Sequence, residues 1–179
     1  GFRIFLSTLL FVLVALLSFA IWAIGSDGYR SEVRLYAFCA LVFLAGGGLA
    51  LVPVSGLSGR RAAAFCLRFA IGFSLYALAW SVAWFAFRDT FGEIVGSFAG
   101  LLALAAVLPR GPAESRHLLT ATATVFLWHT LGYYTGGFAY QALQNRGALA
   151  IELPLEKSAI TTTARFAWGL FYGLGFGYG

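Results

Sequence analysis

The chain has 179 residues, of which 60% are apolar, 17% aromatic and only 11% charged. A soluble domain usually carries about a quarter of charged residues, so that class is excluded and the sequence is that of an integral membrane protein. Its net charge of +5 comes from eleven Arg and one Lys against seven acids, a balance that suits basic loops facing anionic lipid headgroups.

A bilayer core of about 30 Å needs about 20 apolar residues per helix, and six segments meet or approach that length. The first, residues 4–24, follows Arg3 and leads into Ala23 and Gly25 in the manner of a signal peptide. Its apolar run exceeds the ~7 to 15 residues of a signal core, so a retained helix is expected. The chain holds no methionine and starts at glycine, so residues are expected to have been removed ahead of it. This segment is Leu, Val and Phe all round, without a small-residue stripe, and is expected to face lipid at the periphery.

The second segment, 35–54, carries Gly46, Gly47 and Gly48. After it, Gly56-Leu57-Ser58-Gly59 resembles the nucleophile segment of rhomboid intramembrane proteases. The resemblance implies Ser58 as a nucleophile at a helix start, with a His on a later helix as base. It covers four residues. Arg60 and Arg61 then stand where that family continues with apolar helix, the sixth segment has no His and the second has no His and Asn pair. Proteolysis is therefore not expected.

The third segment, 63–87, begins with Arg68 about one turn inside and ends near Trp80 and Trp84. Arg88 and Asp89 form a solvated loop before the fourth, 91–108. There Glu93 stands in the first turn, where the helix dipole favours a carboxylate, and Gly92, Gly96 and Gly100 repeat every four residues. Lipid gives helices no hydrophobic reason to associate, so such stripes allow close backbone packing; they also thin a helix enough to open a path.

The fifth segment, 118–140, holds His129 near mid-depth beside Trp128. An ionisable group there is costly and marks a site, a proton relay or an ion path, unless it is a neutral imidazole bonded to a neighbouring Tyr or Thr. Helical spacing sets Thr122, His129, Tyr133 and Gly136 on one face. Gly132, Gly136 and Gly137 are candidates for a thinned or broken helix. The stretch 141–158 alternates Leu149, Ile151, Leu153 and Leu155 with Glu152, Pro154 and Glu156, and is expected to cap one face at the interface. The sixth segment, 161–178, carries Arg165 and the stripe Gly169, Gly173, Gly177, with Trp168, like Trp22, near a helix end.

Continuous apolar runs of this length exclude barrel strands, and the short connections make successive helices antiparallel neighbours. The expected fold is all-α, a single six-helix transmembrane domain over 1–179. Arg3, Arg60, Arg61, Arg110 and Arg116 on the amino-terminal side against Arg30, Arg88, Arg146 and Lys157 on the other favour the amino terminus inside, and a bacterial inner membrane is the expected location. The two halves share an order of matches. Arg68-Phe69-Ala70-Ile71-Gly72 parallels Arg165-Phe166-Ala167-Trp168-Gly169, and Val42-Phe43-Leu44 parallels Val125-Phe126-Leu127. Three helices per half would make 1–87 and 88–179 inverted repeats, the plan of many transporters, with a site near the midplane.

The function expected on these grounds is a small channel or transporter for a polar or anionic solute, open to proton coupling. Its path would pass His129, Tyr133 and Thr122, with Glu93 near it and Arg68 and Arg165 at the mouths, where they would attract anions or else snorkel to headgroups. A non-transporting subunit that docks partner helices, or forms a homo-oligomer, is the rival. An enzyme using Glu93 and His129 as acid and base is third and less expected. Lipids are the expected surroundings. Nucleic acid is not a partner, because no loop clusters more than two basic residues. No cofactor or metal is expected: His117 and His129 cannot complete a three-ligand site, and Cys39 and Cys66 are isolated within apolar segments.

Overall fold

Apolar runs of this length leave backbone polar groups no partner but their own helix, and the computed structural model follows that rule. It describes residues 1–25, 31–108, 117–145 and 156–179. Among them are six helices and no strand: α1 (Phe2–Gly25), α2 (Glu32–Ser55), α3 (Gly59–Phe87), α4 (Thr90–Val107), α5 (Leu118–Gln144) and α6 (Lys157–Tyr178). Each helix starts and stops within four residues of the bounds expected from hydropathy. The interfacial cap expected over 141–158 is cut back by the longer α5 and α6, and its alternating centre lies outside the described residues.

α1 to α4 are long and apolar enough to cross a bilayer. α5 and α6 have 27 and 22 residues, roughly 40 and 33 Å of helix, but their Thr, Tyr, Gly and His residues make them less apolar. They are held by packing instead. Each helix contacts its neighbours in the chain, and α6 closes back on α1, so the six form a ring. Large apolar side chains line its outside: Leu67, Ile71, Leu75, Leu78, Val82 and Phe85 are all exposed along α3. A surface so greasy is compatible with lipid and incompatible with water.

The middle of the ring is filled by aromatic rings. Phe11 stacks on Phe176 at 4.8 Å, Phe43 on Phe73 at 5.4 Å and Phe69 on Phe73 at 5.6 Å. α1 faces the outside with Phe5, Leu9, Leu13 and Leu17, as expected, but its other face packs as closely as that of any helix. It buries Ser7, Thr8, Phe11, Val12, Ala15 and Ser18, because the small residues that let it pack belong to its partners. A Cβ on Gly173 would lie 2.8 Å from Val12 Cα, and one on Gly46 would lie 2.9 Å from a Val14 methyl.

Polar groups stitch the apolar surfaces together. Ser18 Oγ donates to Cys39 O at 3.0 Å, and the Thr8 hydroxyl lies 3.0 Å from Gly177 O. Pro53 cannot donate within α2, and there Val54 N donates to Ser7 Oγ at 3.1 Å. α2 ends on Gly56 in the left-handed conformation (φ 67°). α3 ends likewise on Arg88 (φ 54°), and Asp89 Oδ1 then accepts from Gly92 N at 2.9 Å to cap α4.

The ring order bears on the two halves. A twofold axis in the membrane plane that carried α1 onto α4 would carry α2 onto α3, not onto α5, when helices follow one another around a ring in alternating directions. This order does not supply the axis that inverted halves 1–87 and 88–179 require.

Candidate functional site

The stripe read on α5 faces the ring centre. Thr122, His129, Gly132 and Gly136 are buried, and Tyr133 is half-buried. His129 is 1% exposed and its Nε2 lies 2.8 Å from the Tyr76 hydroxyl of α3, with the direction of the hydrogen bond set by the imidazole tautomer. Tyr76, Tyr172 and Phe176 present their rings edge-on to it at 5.6, 5.4 and 5.7 Å, and Tyr133 stacks on it at 6.1 Å. Nδ1 of His129 and Oγ1 of Thr122 are buried without a hydrogen-bond partner among the described residues. His129 lines none of the four cavities described at the surface of the bundle.

The glycines do not break their helices. Gly46 to Gly48 and Gly132 to Gly137 lie in continuous α-helix. Cβ atoms on Gly96 and Gly100 of α4 would lie 2.8 Å from the Trp80 and Tyr76 backbone of α3, and Gly92 meets Ala83 in the same way. Gly169, Gly173 and Gly177 of α6 receive α1, while Gly132 and Gly136 of α5 receive α6. The stripes are therefore spent inside the ring and leave no glycine face open for a partner helix.

The two arginines go separate ways. Arg68 is exposed between Leu67 and Ile71 on the outer face of α3, nine residues beyond its start at Gly59 and so deeper than the single turn expected. Arg165 lies on α6 at the end of the bundle opposite the amino terminus, the distal end. It donates from Nη1 to Trp22 O at 2.8 Å, and its guanidinium covers the Trp22 ring at 4.6 Å. Ser58 is the N-cap of α3, whereas His129 meets α3 at Tyr76, eighteen residues further along and roughly 27 Å away by helix rise. No rhomboid-like dyad is formed.

Glu93 belongs to a different cluster. Asp89 takes the capping role at the start of α4, and the Glu93 carboxylate turns to α5. Its Oε1 accepts from the Tyr133 hydroxyl and its Oε2 from the Tyr134 hydroxyl, each at 3.1 Å. Tyr133 sits eleven residues, roughly 16 Å, short of the end of α5 at Gln144, while Glu93 stands in the first turn of α4 beside the exposed Arg88 and Asp89, so the half-buried carboxylate lies near the distal start of α4, against a stretch of α5 that runs on past it. Glu93 has no ion-pair partner among the described residues. A cavity of about 420 Å³ opens beside it, lined by Glu93, Tyr133, Tyr134, Phe138, Gln141 and Trp168 with Gly137. A second, of about 460 Å³, shares Tyr133 and Trp168 and continues to Trp22, Tyr36 and Trp80. Trp168 Nε1 is buried and meets no acceptor among the described residues.

The arrangement thus separates two of the residues picked out by ionisable character. His129 is enclosed at the ring centre, and Glu93 stands on a distal cavity, with Tyr133 touching both. Tyr76, Tyr134, Trp168 and Tyr172 escape a reading based on ionisable residues alone. Trp and Tyr favour the membrane interface, so a tyrosine at the middle of α3 or α6 is the available signal for a polar contact in the core. Trp168, eleven residues inside α6, is likewise further from a helix end than expected. Comparison with protein-family models, curated proteins and solved structures found no match.

Proposed function

We propose that this chain is a non-conducting membrane protein that binds a small ligand in the distal cavity between α4, α5 and α6, on the rigid support of the His129 core. The observation that carries this reading is the Glu93 carboxylate, fixed by two tyrosine hydroxyls on the wall of a cavity of about 420 Å³, within the usual range for small-molecule sites. The closed aromatic shell of His129 and the unbroken glycine helices favour a one-sided site over a path through the ring. A channel or transporter for an anionic solute has little to recommend it: the unpaired charge on this cavity is negative. The partner-docking subunit loses its open glycine faces, and an acid and base pair loses access to His129.

With the amino terminus inside a bacterial inner membrane, as the arginine distribution favours, the cavity opens to the outside. Solute flux in proteoliposomes tests the reading. Wild type and His129→Ala are both expected to release trapped ions and small organic cations or anions no faster than protein-free vesicles. Flux that appears with wild type and disappears with His129→Ala would replace the binding protein by a channel.

A further inference from the structure

Glu93 makes an electrostatic demand that the described residues do not meet. Its carboxylate is half-buried one turn inside α4 and neither Lys nor Arg pairs with it among the described residues, so a cation held between it and the neighbouring rings would be partly shielded from water and drawn to an unanswered charge. The bland account of the two tyrosine bonds is interhelical glue, since α4 and α5 meet without a glycine stripe between them. Glue would be served as well by a neutral glutamine. The negative charge, the space beside it and the nature of the walls need a further cause.

The walls define the cation. Tyr133, Tyr134, Phe138 and Trp168 surround the carboxylate side of the cavity, and aromatic faces attract ammonium groups through their quadrupoles. A metal ion is poorly served, because no set of three His, Cys, Asp or Glu gathers among the described residues. A strongly hydrated inorganic cation would gain less from these rings than a weakly hydrated ammonium group.

Resting on the binding function proposed above, we infer that the ligand carries an organic ammonium group, seated on Glu93 against the tyrosine and tryptophan rings. A free amino alcohol and the headgroup of an aminophospholipid or choline phospholipid share this chemistry.

Two arms separate the sources. Equilibrium binding of radiolabelled choline and ethanolamine to the detergent-purified protein reads the free ligand. Native mass spectrometry of protein released from nanodiscs of equal phosphatidylcholine, phosphatidylethanolamine and phosphatidylglycerol reads the lipid. Wild type is expected to bind in at least one arm, and to keep the ammonium lipids over phosphatidylglycerol if the source is lipid. Glu93→Gln, whose carbonyl still accepts from a tyrosine, is expected to keep the thermal stability and to lose binding by about tenfold or more. Phe138→Ala removes a wall ring that is 74% exposed and therefore spares the fold; a loss of about threefold is expected there. Equal binding by wild type and Glu93→Gln, or no binding of any ammonium probe, overturns the inference. If phosphatidylglycerol is retained instead, the ammonium falls while the binding function stands; if nothing binds and the protein conducts, both fall.

Discussion

His129 and Glu93 lie one residue apart in their contacts, since Tyr133 stacks on the imidazole and donates to the carboxylate, yet their surroundings differ. His129 exchanges a single hydrogen bond with Tyr76 inside an aromatic shell. Removing one partner of a buried pair leaves the other unsatisfied, which costs about 1 to 3 kcal/mol, whereas replacing both by apolar groups is nearly neutral. Tyr76→Phe is therefore expected to destabilise by about that amount in denaturant titration in detergent. Combining Tyr76→Phe with His129→Leu is expected to recover part of the loss, the remainder belonging to Tyr172 and Ser97, which also bond to the Tyr76 hydroxyl; a fully additive loss would show that the hydrogen bond is not the coupling between Tyr76 and His129. The sequence shows His129 plainly, as the ionisable residue at mid-depth of a helix. It does not show Tyr76, because residues 53 apart meet only through the ring order, and no local spacing encodes that. Glu93 is visible too, but as a residue at home in the first turn of a helix; the turn of its carboxylate toward α5 depends on Asp89 occupying the cap.

At the scale of the element, the glycine spacing is legible and its use is not. A four-residue repeat announces a close approach, but whether the approaching backbone belongs to a neighbour or to another protein depends on tertiary packing. Here the approach is internal, and substitutions separate tight from open positions. A Cβ on Gly100 falls 2.8 Å from Tyr76 backbone, while one on Gly137 finds nothing nearer than 3.8 Å. Gly100→Ala is expected to cost about 1 to 3 kcal/mol through overpacking. Gly137→Ala is expected to be neutral or to gain up to about 1 kcal/mol from helix propensity. Equal effects at the two sites in a thermal-unfolding assay would contradict the packing. The α3–α4 turn carries a separate prediction. Arg88 holds φ 54°, a conformation that costs a residue with a Cβ about 1 to 2 kcal/mol, so Arg88→Gly is expected to raise the unfolding temperature unless the loss of its contact with Phe85, 5.8 Å from the guanidinium, offsets the gain.

The whole molecule is a closed ring of helices in chain order, and its properties follow from that closure. Composition and hydropathy give the number of helices and their lengths, because lipid enforces both. They do not give the ring, since short loops make neighbours adjacent but leave open how the last helix meets the first. The short matches around Arg68 and Arg165 read as inverted halves along the chain, but in space one arginine sits on the outer face and the other against Trp22. With the ring centre filled by Phe11, Phe69, Phe176 and His129, the proposed binding site falls at the distal end, where the half-buried Tyr133 and Trp168 separate two cavities and Glu93 brings a charge; the cavity at the opposite end, lined by Phe69 and Phe176, has no side-chain carboxylate or cation on its wall among the described residues. The most direct test of a one-sided site over a closed core is cysteine accessibility in sealed vesicles, with Cys39 and Cys66 replaced by alanine. A cysteine at Gln141 is expected to react with a membrane-impermeant thiol reagent from the distal side alone, and one at His129 to react from neither side. Labelling at position 129 from either side would contradict the closed core.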